Sequence, residues 1–496
     1  MFAPSIARVL SCAGAALTFG VVLSCSVVSQ IPQNSCTEDQ ACRNGFGLDW
    51  KCNGDTGLCE QVEESPLCSS VYPEDLLRDP EKYPGDTILF ATLLDGEGDI
   101  QMIRSANLAI AQVRNKDLKG RAFGMINCSY GDDSDGERQL EDATKAARFV
   151  VDNFGVKAII GPGTSSIAEA VYNEVEDEVL IISPSATSDS LTFIDGAEKS
   201  PQNPGTFWRT APPDSGIARK MAEILTAGEN QKVALIFKQG TYGENLSNLL
   251  AKSLIDLELT NPLVTQAYND AAGDLGVVIA SIGSQEFDEI VFIADSNPDV
   301  VTFINSAATE SANPESSFSS AMLMLGDAAF SEANVLSKLN AGDLTKVFDP
   351  DDTGTLRIRL VIPVAPSGAV FSAFSTAYDS EYKDEKPANN GYTAESYDAA
   401  WLAIYSSAWS LFNEGEITPR GMAAGLHRIS GGVPYSIDVT TWPSIRSTFD
   451  IPQAIDLTGA SGNLDYDSAT EETTGEGELW QLVITEGVLT YAQVVG

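Results

Sequence analysis

The sequence predicts an α/β protein of two Rossmann-like parallel-sheet lobes joined by hinge strands, with a small Cys-rich module ahead of them. Three observations lead there. Short apolar runs alternate with helical periodicity from Thr87 onward, and the alternation breaks once at a Pro- and Gly-rich loop, Gly196 to Asp214, before it resumes. Five of the eight cysteines crowd between Cys36 and Cys68. At 496 residues, the chain also exceeds what one ordinary core organises.

Arg8 precedes the apolar, small-residue run Val9 to Leu23, which has the length of a signal-peptide core and is short for a membrane span. Residues 1–24 are therefore expected to be a removed signal peptide. Val22-Leu23-Ser24-Cys25 resembles the bacterial lipobox, so Cys25 is the candidate lipidation site, with ordinary cleavage nearby and a free Cys25 as the alternative. Residues 25–85 then read as a lipid-anchored tether carrying the Cys-rich module, ending in the Pro-bearing stretch Pro73 to Pro84. Cys36, Cys42, Cys52, Cys59, Cys68 and the distant Cys128 make an even set, which in an exported chain implies disulfides with fifteen possible pairings. Zinc is the alternative, weakened because no C-x-x-C pair exists.

Ile88 to Leu94 reads as a strand, and Met102, Ile103, Ala106, Ile110 and Val113 recur at helical spacing. Phe123 to Cys128, Lys157 to Ile160 and Val179 to Ser183 follow as strands, separated by helices at Glu137 to Phe154 and Ser165 to Glu178. After the break, strands are expected at Val233 to Phe237, Glu289 to Ala294, Met322 to Leu325 and Leu356 to Val364. Helices fall around Leu246 to Leu254 and Pro298 to Ala308, and two strongly apolar ones follow at Gly368 to Glu381 and Thr393 to Phe412. Leu479 to Val495 reads as two strands around Glu486-Gly487. The lobes are accordingly drawn as 86–207 plus 366–458, and 208–365 plus 459–496.

The formal charge of −40 argues against nucleic acid and would repel an anionic bilayer, so membrane contact is expected only through a lipid on Cys25.

Two strand ends run into hydroxyl-rich chain: Ile160-Gly161-Pro162-Gly163-Thr164-Ser165-Ser166 and Ile182-Ser183-Pro184-Ser185-Ala186-Thr187-Ser188. Together they offer hydroxyls and backbone N–H groups to a carboxylate, although helix capping explains the Ser165 segment equally well. These segments, with Phe207-Trp208-Arg209-Thr210 followed by Ala211-Pro212-Pro213-Asp214, Thr241-Tyr242-Gly243-Glu244, Gly326-Asp327 and Tyr397-Asp398-Ala399-Ala400, resemble in order the branched-chain amino-acid-binding (Leu/Ile/Val-binding) branch of the type I periplasmic binding proteins. The resemblance runs from Asp86 to the C-terminus.

It implies the periplasmic binding protein-like I fold and an extracytoplasmic solute-binding lipoprotein, in the periplasm or cell envelope, that closes around an amino acid or related small ligand. It further implies delivery to an ABC-type permease, without catalysis or cofactor; a ligand-sensing or protein-interaction receptor on the same fold is the alternative. By the same resemblance Ser165, Ser185, Ala186 and Thr187 would hold a ligand carboxylate, Asp327 would pair with an ammonium, and Tyr242 would cover the ligand. Asp327 as a helix N-cap and Tyr242 as a surface aromatic are the competing readings. The chain departs from the family at Leu94-Asp95-Gly96-Glu97-Gly98-Asp99, a short acidic loop suited to a cationic ligand or none, and at Thr164, where some relatives place a Cys.

The only histidine is His427, in an expected helix, and no G-x-S-x-G elbow exists, which argues against a Ser-His-Asp hydrolase. The acidic runs Asp132 to Gly136 and Asp349 to Gly354 do not complete EF-hand spacing, and turn chemistry is the expected use of their carboxylates.

Overall fold

A computed structural model of the chain describes residues 34–494 except 114–117, 132–135, 229–230, 260, 384–385 and 388–389. The expected signal peptide, Cys25 and the acidic residues Asp132 to Asp135 therefore lie outside the described residues.

The described residues open with a helix, Asp39–Phe46, and the hairpin β1 (Trp50–Asn53) and β2 (Leu58–Gln61). Two disulfides, Cys36–Cys52 and Cys42–Cys59, staple this unit, and Cys68–Cys128 ties the segment behind it to the first large sheet. All six cysteines expected to pair do so, and with each sulfur in a disulfide the zinc reading gives way. So little chain buries too little apolar surface to hold itself, which is why the crosslinks are needed. The stretch behind the module is not a free tether. β3 (Ser70–Tyr72) joins the first sheet antiparallel to the strand Phe123–Ser129, and Leu48, Val62, Leu76 and Tyr83 are buried in that sheet's outer core.

The first sheet has the order β3-β5-β4-β6-β7-β8, with β4 (Ile88–Leu94), β5 (Phe123–Ser129), β6 (Ala158–Ile160), β7 (Leu180–Ser183) and β8 (Phe207–Arg209) all parallel. Its central strands are apolar along their whole length because helices cover both faces; all seven residues of β4 are buried. The second sheet has the order β10-β9-β11-β12-β13-β16-β17. Its parallel part comprises β9 (Val233–Lys238), β10 (Val264–Tyr268), β11 (Glu289–Ile293), β12 (Met322–Leu325) and β13 (Thr355–Pro363). A short parallel pair, β14 (Val433–Ser436) and β15 (Ile455–Thr458), stands apart, and β16 (Gly477–Thr485) and β17 (Val488–Gln493) close the second sheet as an antiparallel hairpin.

Helices Gly368–Glu381 and Thr393–Asn413 return to the first sheet's core, the second so enclosed that Thr393 to Leu411 are all buried. Among the described residues no helix is long and apolar enough to cross a membrane, so this all-round apolar helix is a core element. The segment 459–466, assigned to the second lobe from sequence, packs on the first instead. Ala460, Leu464 and Tyr466 bury in its core, and the buried Asp398 accepts the Ala460 and Ser461 N–H groups.

Candidate functional site

The two sheets present their carboxyl edges to one another, where a parallel sheet gathers loops and helix N-termini. From the first sheet come the ends of β4, β5, β6 and β7. Gly161, at the end of β6, has φ +124°, and a side chain there would meet the Leu93 carbonyl oxygen at 2.2 Å, so only glycine lets this loop lie against β4.

The hydroxyls of the two loops are mostly occupied within the protein. Ser183 Oγ donates to the Pro162 carbonyl at 2.6 Å and Ser185 Oγ to the Gly163 carbonyl at 2.8 Å, which locks the two strand ends together. Ser165 Oγ accepts the Ser188 N–H at 3.2 Å, and Ser166 Oγ accepts the Thr241 N–H from the other lobe at 3.1 Å. Neither serine caps its own helix: the N-cap residue is Thr164, and its side chain makes no capping bond. Thr187 Oγ1 is buried beside the Asp214 carboxyl, which it helps to hold.

Arg209, fully buried at the end of β8, fixes the second loop from behind. Its guanidinium donates to the Ala186 and Ser188 carbonyls at 3.1 and 2.7 Å, to Thr192 Oγ1, and through two nitrogens to Glu472. The planar fork matches this set of acceptors in a way that a lysine could not.

The second lobe contributes the ends of β9, β11 and β12. Asp327 follows β12 and caps nothing: its two carboxylate oxygens accept the hydroxyls of Tyr242 and Tyr392. Tyr242 is no surface aromatic, since its ring is buried among Leu246, Leu250 and Met324 and only its hydroxyl reaches the acid. Asp214, at the crossing between lobes, is also fully buried, and neither of its carboxylate oxygens has a well-formed hydrogen bond. Burial first, and the nearby Asp327 carboxylate second, push the Asp214 carboxyl well above the usual range. The site thus brings Ser165, Ser185, Ala186, Thr187, Tyr242 and Asp327 to the facing edges, and adds Arg209, Asp214 and Tyr392. In the sequence Arg209 and Asp214 stand out only as letters of Phe207-Trp208-Arg209-Thr210 and Ala211-Pro212-Pro213-Asp214. Tyr392 gave no signal, because its left-handed φ of +63° is visible only in the fold.

The lobes touch across the gap. Ser188 Oγ donates to the Thr241 carbonyl at 3.1 Å, Thr241 Oγ1 to Glu169 Oε2 at 2.6 Å, and Asn334 Nδ2 to the Gly98 carbonyl at 2.8 Å. Beside these contacts an open surface depression of ≈ 470 Å³ is lined by Glu169, Ser190, Thr241, Glu244 and Asn245, and by none of Ser165, Ser185, Ala186, Thr187, Tyr242 or Asp327.

His427 lies away from this gap, just past the helix Pro419–Leu426. It is buried edge-on against Trp208, with Nε2 2.7 Å from Glu471, and Lys199 bridges Glu471 and Asp195. It packs in a buried network with Glu471, Lys199 and Asp195 against β8 of the first sheet. Asp349 spends its carboxylate on Thr353 and the Gly354 N–H, as turn chemistry requires.

Comparison with known proteins places this architecture. The sequence profile of the periplasmic binding protein family matches residues 96–430. The chemotactic signal transduction system substrate-binding protein BasB of Halobacterium salinarum is 25% identical over 332 residues, spanning 64% of this chain and 68% of BasB. The branched-chain amino acid transporter substrate binding protein LivJ of Streptococcus pneumoniae, solved with isoleucine, superimposes with a TM-score of 0.56 at 16% identity, covering 82% of this chain and 99% of LivJ. A solute binding protein of an ABC transporter from R. palustris, solved with 4-hydroxybenzoate, gives a TM-score of 0.60 at 14% identity, covering 82% of this chain and 96% of that one.

Proposed function

We propose that this chain, which belongs to the periplasmic binding protein family, is an extracytoplasmic receptor that closes its two lobes around an amino acid or close relative. Family membership carries the coarser part: a small-molecule ligand, outside the cytoplasm, on a solute-binding fold. The finer part rests on one observation, that Thr187 and the Ser185-Ala186 backbone stand at strand ends of the first lobe while Asp327 stands on the second, held by Tyr242 of its own lobe and by Tyr392 at the start of the first lobe's helix Thr393–Asn413. A carboxylate suits the first edge and an ammonium the second. Closure then depends on both ends of a zwitterion, because each lobe meets one charge.

Titration calorimetry across amino acids and small aromatic acids tests this reading. In the natural protein at least one amino acid is expected to bind, and Asp327→Asn should weaken it by about 1.5–3 kcal/mol, the range for a hydrogen bond to a charged group. No amino acid binding, or binding untouched by Asp327→Asn and Thr187→Val together, would overturn it.

For the receptor's downstream role we take delivery to an ATP-driven permease, from a lipid anchor at Cys25, as the first reading. Signalling is the second, favoured by the likeness to a chemotaxis substrate-binding protein and by the stapled N-terminal module. Deleting residues 34–61 separates the two. Loss of a captured membrane protein while ligand binding persists supports signalling, and ligand-dependent capture of a permease by both forms supports import.

A further inference from the structure

The segment that follows β12 in the second lobe is docked on the first. Gly391, in the turn ahead of the helix Thr393–Asn413, donates its N–H to the Phe330 carbonyl at 3.2 Å. Ser331 Oγ donates to Asn390 Oδ1 at 3.0 Å, and the Tyr392 hydroxyl donates to Asp327 Oδ2. The contact of Asn334 with the Gly98 carbonyl lies on the same stretch.

Both halves of this contact are stiff. On the second lobe, the Tyr491 hydroxyl of β17 donates to the Ala329 carbonyl at 2.6 Å and accepts the Ser331 N–H at 3.0 Å, while the Phe330 ring packs against Trp480 and Tyr491. On the first, Thr393 Oγ1 donates to the Pro387 carbonyl and Ser396 Oγ to the Met102 carbonyl, each at 2.8 Å, and Tyr392 packs on Leu94, Met102 and Ile103. Tyr392 holds its left-handed φ of +63° at a cost that a non-glycine residue bears only where its surroundings fix it.

The docked segment also occupies the acid that the receptor reading gives to an ammonium. Tyr242 takes Asp327 Oδ1 from within the second lobe, and Tyr392 takes Oδ2 from across the gap. Ser165, Ala186, Thr187, Tyr242 and Asp327 are all buried by the chain itself. A ligand reaches them only when the lobes part, and parting breaks the bonds of residues 390–392.

We infer that Asn390, Gly391 and Tyr392 form a latch, with Asp327 to Ser331 as its catch, that holds the lobes shut before any ligand arrives. The Tyr392 hydroxyl stands in for the ligand's ammonium on Asp327 and gives way to it on binding. Ligand then enters through a minor open form of the receptor. The latch is a property of the chain alone, so its test needs no ligand and is independent of the receptor reading.

The test is small-angle X-ray scattering of the natural protein, of Tyr392→Phe, and of Asn390→Ala combined with Tyr392→Phe, all without added ligand. The double variant is expected to open and give a larger radius of gyration than the natural protein. Amide hydrogen exchange supplies the local readout. The Gly391 N–H should exchange about tenfold or more faster in Tyr392→Phe, the factor that one lost hydrogen bond to a charged group gives, while Ile159 in β6 keeps its rate and shows the fold intact. An unchanged radius in the double variant, or an unchanged Gly391 rate in Tyr392→Phe, would overturn the latch, whatever ligand calorimetry finds.

Discussion

Arg209 shows how one buried side chain fixes a loop from behind, by donating to the Ala186 and Ser188 carbonyls. With no exposed surface, it satisfies two loop carbonyls, a threonine hydroxyl and Glu472 at once. Arg209→Met would leave Glu472 unpaired and the Ala186–Ser188 carbonyls without donors. The expected loss is about 3–5 kcal/mol of stability, read as a lowered denaturant midpoint, and ligand affinity should fall with it. An unchanged midpoint would remove Arg209 from this role. Buried acids set the pH response. Burial is the first cause in each case, and it pushes the Glu395 carboxyl up to about 8, Glu289 to about 7 and Asp398 to about 6, with Asp99 at about 7. Each group holds its proton more tightly folded than unfolded. Its stabilisation is complete below the ordinary carboxylate range near pH 4 and is lost as pH rises through about 6 to 8. The free protein should therefore melt at a higher temperature at pH 5 than at pH 8, and Glu395→Gln should flatten the upper part of that slope; a melting curve that rises with pH contradicts this.

At the scale of elements, periodicity located the central strands of both sheets and the long helices of the first lobe, because central parallel strands are apolar runs and their helices amphipathic. Ser165–Val175 ends earlier than its pattern implied, and a 3₁₀ turn, Glu176–Glu178, leads into β7. The elements that escaped include β3, β10, the β14–β15 pair and the helices Ser215–Thr226, Leu275–Gly283, Ala341–Phe348 and Trp442–Asp450. Their places depend on neighbours far along the chain, as when Cys68 joins Cys128 across 60 residues. That crosslink anchors β3 against β5, so Cys68→Ala with Cys128→Ala should cost about 2–4 kcal/mol and expose residues 65–75 to proteolysis before the sheets unfold. Simultaneous loss of the whole fold and this segment would show that the two are one cooperative unit.

For the whole molecule the dominant fact is charge. Seventy acids against thirty bases leave −40 on 496 residues, and the compact state works against that repulsion. Raising the salt from about 0.1 to about 1 M shortens the screening length from ~10 to ~3 Å, so the melting temperature should climb steadily across that range. A flat or falling curve would mean that the acids are balanced locally, by pairs such as Arg148 with Glu174 and Glu178.

The order of strands and helices, the even cysteine set and the identity of the hydroxyl-rich loops were all determined by the sequence alone, because local periodicity and short motifs are written within a few residues of each other. Which sulfurs pair, that Val62, Leu76 and Tyr83 as well as Ala460, Leu464 and Tyr466 bury in the first lobe, and that the Tyr392 hydroxyl reaches Asp327 were decided only by the tertiary structure. These facts join residues distant in sequence, and burial, which sets both their partners and their charge, exists only once the sheets have come together.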